Sequence, residues 1–236
     1  AQHGMDRMRL AASAFGVSPE TVPVVESAYL ELLDLLQAHF SAAPYLLGGR
    51  PSLADYGLIA PLYAHLSRDP HPSTLMKQRA HRVFRWTERM NSRNAERGSI
   101  SDDSTDFFEN DGIPDSLKAI LRHAAEELVP ETESTARFLD EWLESQDGVE
   151  AGAVLERGLG LCHFELRGTR IDALAQPYRI FLLQRLQDAC NSMPADSRRS
   201  VADLFEEVGL APLLEIRTRR RVERANHREV LGAPAA

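Results

Sequence analysis

Apolar residues recur at helical spacing through the N-terminal part of the chain, broken by short polar turns. Met5, Met8, Ala12 and Phe15 predict a helix over about Gly4–Phe15, stopped at Gly16. Ser18-Pro19-Glu20 is a start signal, with Ser as cap and Pro at the first helical position, although Pro23 softens that boundary. From Val24 to Phe40, the positions Val25, Tyr29, Leu32, Leu33, Leu36 and Phe40 follow one face, and Leu30 and Leu35 widen it. A turn on Gly48 and Gly49 leads to a third helix, Leu53–Leu66. This helix is apolar nearly all round and so expected in the middle of a bundle. Pro61 lies inside it and predicts a kink. A short helix near Ser73–Arg79 and another over His81–Met90 follow, the second carrying Val83, Phe84, Trp86 and Met90.

Between Asn91 and Gly112 the pattern fades into Ser, Asn, Asp and Glu. This predicts a surface loop pinned at Phe107-Phe108. Pro114 opens a helix through Leu117, Ile120, Leu121 and Leu128, and Pro130 is read as the start of a separate one through Phe138, Leu139, Trp142 and Leu143. Leu161–Ile171 alternates as a short β-hairpin turning near Gly168. Helices resume at Pro177 and Pro194, the latter closed by Gly209, and the tail Arg217–Val230 is basic with weak patterning. The expected organisation is a helical domain over residues 1–92, a linker over 93–113 and a mainly helical extension over 114–236.

One stretch is more specific than the rest. Tyr45-Leu-Leu-Gly-Gly-Arg-Pro-Ser-Leu-Ala-Asp55 ends one helix and opens the next with a capping box, Ser52 as N-cap and Asp55 at the third helical position. Truncating either residue to Ala is expected to cost about 1 kcal/mol, up to about 2 if the cap is buried. The leucine-rich helix before it, the apolar helix after it and the later Val-Phe-Arg-Trp-Thr-Glu-Arg-Met complete an ordered series. This series resembles the all-helical C-terminal domain of the glutathione S-transferase superfamily. The likeness covers roughly Leu10 to Met90 and is strongest from Leu30 to Leu66. It implies an all-α fold: a glutathione-transferase C-terminal-like bundle with a helical extension and a small β-hairpin. In that superfamily a proline often opens the last helix of the series, where this chain has His81.

Composition narrows the classes. The chain has 236 residues, 43% hydrophobic, enough for a substantial core. A formal charge of −8 argues against general nucleic-acid affinity. The two cysteines form neither a disulfide framework nor a metal cluster and suit a reducing, cytoplasmic setting. No apolar run reaches membrane-span length. The opening Ala-Gln-His-Gly-Met-Asp-Arg has the texture of a helix interior, so residue 1 is expected not to be the biological start.

No hydrolase elbow, phosphate loop, dinucleotide fingerprint or zinc-protease motif is present, and no catalytic, cofactor-binding or metal-ligating residue is assigned. Cys162 and His163 are neighbours on a strand, facing opposite ways, and make a poor nucleophile–base pair. The run Arg217-Thr-Arg-Arg-Arg221 lacks interleaved aromatics for base stacking and reads as a solvated face pairing with acids. Tyr63, His65, Arg68 and Asp69 cluster at a helix end, where His and Arg gather without any function.

The resemblance implies a division of labour. Glutathione, as co-substrate, belongs to a thioredoxin-like domain, while the helical domain contributes a pocket for the electrophile and a homodimer surface. Carried over by position, Met5, Met8 and Arg9 are the substrate-pocket candidates: Met for an adaptable apolar wall, Arg for an acidic group. The plainer alternative makes Met5 and Met8 core contacts one turn apart. Two other functions compete with conjugation, a non-catalytic assembly module and a carrier of small hydrophobic or acidic ligands.

Overall fold

The computed structural model describes residues 2–92, 106–146 and 148–234, with residues 2–5 and 234 described by their backbone alone. The described residues are mostly helical and fall into two compact units: Glu26–His123, and Ala1–Val25 with Ala124–Ala236. Most of the expected linker, residues 93–105, lies outside the described residues.

The unit Glu26–His123 is a helical bundle. It takes in most of α2 (Val22–Ala42), then α3 (Leu53–Pro61), α4 (Pro70–Arg79), α5 (His81–Asn91) and the start of α6 (Asp115–Ser145). Leu33, Leu36 and Phe40 of α2 meet Met76 of α4, Val83 and Trp86 of α5, and Leu117 and Ile120 of α6 in one core. Phe40 stacks on Trp86 with ring centroids 5.1 Å apart. Two fully enclosed aromatic rings contribute several kcal/mol of hydrophobic stabilisation between them. The kink expected at Pro61 takes the form of a π-helical turn over Leu62–Leu66, in which the Ser67 amide reaches back to the Leu62 carbonyl at 2.8 Å. A proline inside a helix removes one amide donor and crowds the preceding turn, and the wider π turn absorbs both.

At the turn between α2 and α3, Asp55 is fully buried. The capping box closes as expected, with the Ser52 amide donating to Asp55 Oδ2 at 2.9 Å and the Ser52 hydroxyl to the same oxygen at 2.7 Å. The other oxygen has work the capping box does not foretell. Asp55 Oδ1 accepts from the Leu46 amide and from the Trp86 indole, each at 3.1 Å. Four donors from the turn, the cap and α5 thus converge on one carboxylate.

The Gly48-Gly49 turn is locked from the other side. Gly48 has φ +119°, and a Cβ there would lie 2.9 Å from the Asp106 carbonyl. Gly49 donates to that carbonyl at 2.8 Å and Phe108 donates to the Leu47 carbonyl at 3.0 Å. Backbone bonds therefore pin the 106–108 segment, while the Phe107 ring stays 41% exposed beneath the Arg50 guanidinium.

The other unit carries both hairpins. Strands β1 (Leu161–Leu166) and β2 (Thr169–Leu174) turn on Arg167-Gly168, whose φ values of 51° and 77° suit a two-residue hairpin loop. Phe164, Leu166, Ile171 and Ala173 face inward and meet Val24. Helix α1 (Gln2–Ala14) packs toward β2, and at Gly16 (φ +81°) a Cβ would lie 2.4 Å from the Ile171 side chain. Helices α7 (Pro177–Ser192), α8 (Ala195–Val208) and α9 (Pro212–Glu215) follow.

Two expectations give way here. Pro130 does not start a new helix, because α6 runs unbroken through it. The tail is not weakly structured either: β3 (Arg220–Ala225) and β4 (Arg228–Pro234) form a second hairpin around Asn226 and His227, both at positive φ. Val222 and Leu231 of that hairpin share a core with Leu139 of α6, Ile180 of α7 and Leu155 of the segment before β1.

Asp55→Ala leaves the Leu46 and Ser52 amides and the Trp86 indole without their acceptor. At about 1–3 kcal/mol for each buried orphan donor, the expected loss is at least about 3 kcal/mol, well above the value of an isolated cap. Urea denaturation followed by tryptophan fluorescence measures it. A loss of about 1 kcal/mol would mean the carboxylate is only a cap.

Candidate functional site

The pocket candidates of α1 occupy an outward position. Met8 is 63% exposed and therefore not the core contact of the plainer reading. Arg9 faces solvent and pairs loosely with Asp6 at 3.7 Å. The side chain of Met5 lies outside the described residues. Leu10 and Phe15 on the same helix are also exposed, at 72% and 56%. The helix offers an exposed surface that mixes these apolar residues with two arginines, Arg7 and Arg9.

The central helix α3 departs most from expectation. It is not buried on all sides. Asp55 faces inward, but Leu53 is 88% exposed and Tyr56 61% exposed. Around Gly57 no heavy atom lies within 4 Å of where a Cβ would stand, and Ala60 is open too. Residues 53, 56, 57 and 60 share one helical face, so the open positions make a continuous apolar strip. Strips of this kind mark surfaces for a partner or an apolar ligand. The capping box holds the start of this helix in place.

Two further ionisable groups of this unit, one buried and one half-buried, are withdrawn from water. His39, on α2, is 1% exposed. Its Nε2 lies 3.3 Å from the Tyr45 carbonyl and its Nδ1 2.9 Å from Ser116 Oγ. A carbonyl can only accept, so Nε2 carries the proton and Nδ1 accepts from the Ser116 hydroxyl. Burial pushes this imidazole below its ordinary value of 6.5 and keeps it neutral. Arg89 of α5 donates to the Pro44 carbonyl at 2.5 Å and lies 5.1 Å from the centroid of the Tyr45 ring. Burial lowers its pKa, and its Nε has no hydrogen-bond partner.

The remaining motifs resolve structurally. Cys162 is buried and His163 points to the opposite face of β1. Among the described residues no group of three or more His, Cys, Asp or Glu could hold a metal ion. In the basic run, Arg219 pairs with Glu144 and Arg221 with Asp188 at 2.6 Å. Arg220 binds the carbonyls of Gly232 and Val149 instead and ties β3 to β4 and the loop before β1. At the end of α3, the Arg68 guanidinium sits 4.2 Å over the Tyr63 ring and pairs with Glu88 at 2.7 Å. Among the described residues no helix is long and apolar enough to cross a membrane.

Residues 19–89 match the family model described as glutathione S-transferase, C-terminal domain. The match supports a glutathione S-transferase C-terminal domain over this part of the chain. No curated protein and no solved structure matches the chain.

The His39 environment carries a pH signature. A histidine held below its ordinary pKa supplies stability that is present above that value and lost as pH falls. Urea midpoints of the parent chain are expected to drop between about pH 7 and about pH 5. His39→Gln retains a donor for the Tyr45 carbonyl but cannot titrate, and is expected to flatten that part of the slope. An unchanged slope would mean that other groups carry it.

Proposed function

We propose that this chain supplies the helical part of a cytoplasmic glutathione-S-transferase-like protein. In this reading the open face of α3 contributes an electrophile surface and a homodimer surface to glutathione conjugation. Glutathione would be bound, and its thiol activated, by a thioredoxin-like domain. The observation that carries the reading is Leu53 and Tyr56 standing open on the helix that the Asp55 cradle fixes. Large apolar side chains on a rigidly held helix suit a surface that another component covers.

A second reading has support from the same place. The open residues form a helix face rather than a cavity, a shape that suits a protein partner better than a small electrophile. In that case the domain is a non-catalytic assembly module.

Glutathione conjugation of a chlorinated nitrobenzene separates the two. Residues 1–236 alone are expected to be inactive and blind to glutathione, whereas the product of the complete reading frame is expected to conjugate. Leu53→Asp in that product should raise the KM for the electrophile or abolish dimerisation. Conjugation by residues 1–236 alone would contradict the proposal. Absence of activity in the complete product, with a stable assembly lost on Leu53→Asp, would favour the assembly module.

A further inference from the structure

A second surface lies wholly in the unit built from Ala124–Ala236, outside the matched residues. An open cavity of about 580 Å³ is lined by the loop at Leu155–Arg157, the start of α7 at Gln176 and Tyr178, and the β3–β4 turn from Arg224 to Glu229. Its charges divide into two sets. Arg224 is engaged, paired with Glu229 at 3.2 Å and lying 5.2 Å over the Tyr178 ring. The side chains of Arg157 and Arg228 line the same cavity with no ion pair or hydrogen bond among the described residues. Glu156 is the acid that opposes them on the rim, which leaves the unpaired charge positive. The Gln176 amide also faces the cavity without a hydrogen bond among the described residues.

Gln176 and Tyr178 are walls of a second space as well. An apolar groove of about 400 Å³ shares both residues and continues along Leu128, Leu182, Leu186 and Leu213. Leu128 and Leu182 are 41% and 49% exposed there, a large apolar area left in water. The groove's own cation, Arg179, is taken by Glu131 at 2.6 Å. Polar and charged positions therefore gather at one end and leucines at the other, with the Tyr178 ring between them.

We propose that this joined cavity and groove bind a small amphiphilic anion. The carboxylate or phosphate head would be met by Arg157, Arg228 and the Gln176 amide, and the apolar chain would lie along Leu128, Leu182 and Leu186. Guanidinium groups favour such heads because their parallel donors match two oxygens of the anion. The combined volume lies in the range of small-molecule sites. This site is independent of the proposed conjugation role, and its test does not involve glutathione.

Calorimetry on the full chain tests it, with decanoate and decyl phosphate kept below their micelle concentrations. Decanol supplies a tail without a charge and inorganic phosphate a charge without a tail. Saturable binding of at least one amphiphilic anion is expected, with both partial probes weaker by about tenfold or more. The two anionic probes distinguish a carboxylate from a phosphate head. Arg157→Ala with Arg228→Ala, both exposed and unpaired, should weaken anion binding at least about tenfold while leaving decanol unaffected. Leu182→Ser should weaken the anions and decanol alike. Circular dichroism checks that each variant is folded. Absence of saturable binding by either anion, equal binding of decanol, or parent-like affinity in the arginine variant would each overturn the proposal. So would binding seen only with anionic vesicles.

Discussion

Burying a carboxylate is costly unless hydrogen bonds replace its water, and Asp55 shows how the helical domain meets that condition. Its two oxygens take donors from the turn at Leu46, the cap at Ser52 and the indole of Trp86. Each donor fixes a different element, so one side chain sets the start of α3, the path of the Gly48-Gly49 turn and the depth of α5. Trp86 then holds Phe40, and through it α2. A hydrophobic core alone tolerates small shifts between helices. A carboxylate with four directional partners does not.

Much of this was legible in the residues. Ser52 and Asp55 stand at the spacing that a capping box requires, and the helical repeat of α2 and α5 places their inward faces correctly. The Trp86 bond was not legible, because a contact across 31 positions leaves no local signal. The open face of α3 was hidden for a different reason. Apolar residues at every position state that a helix can be covered all round, not that it is. Pro130 misled through a local rule, since a proline within a long, well-packed helix can be carried by its neighbours. The second hairpin escaped because its turn, Asn226-His227, lacks the glycine that marks the first at Arg167-Gly168.

That missed hairpin matters for function. Arg228 sits at the first position of β4, and Arg224 at the wall beside Tyr178, so the cavity exists only because the basic tail is folded. Read as sequence, the arginines looked like one solvated face. Folded, they separate into Arg219 and Arg221 on acids, Arg220 on carbonyls, and Arg228 lining the cavity. The pocket candidates on α1 were assigned by position in a family, and the structure shows Met8 and Arg9 as surface residues. The chain thus presents open apolar surface on α1 and α3, and a charged cavity with its own leucine groove near its C-terminal end.

The central claim is that the Asp55 carboxylate is the fixed point of the helical domain. Hydrogen exchange of the Trp86 indole N–H, followed by NMR against that of Trp142, tests it most directly. A donor locked on a buried carboxylate exchanges only when the domain unfolds, so its rate should rise with urea in step with global unfolding. If the Trp86 indole exchanges as freely as that of the half-buried Trp142, with no dependence on urea, Asp55 does not hold the domain together.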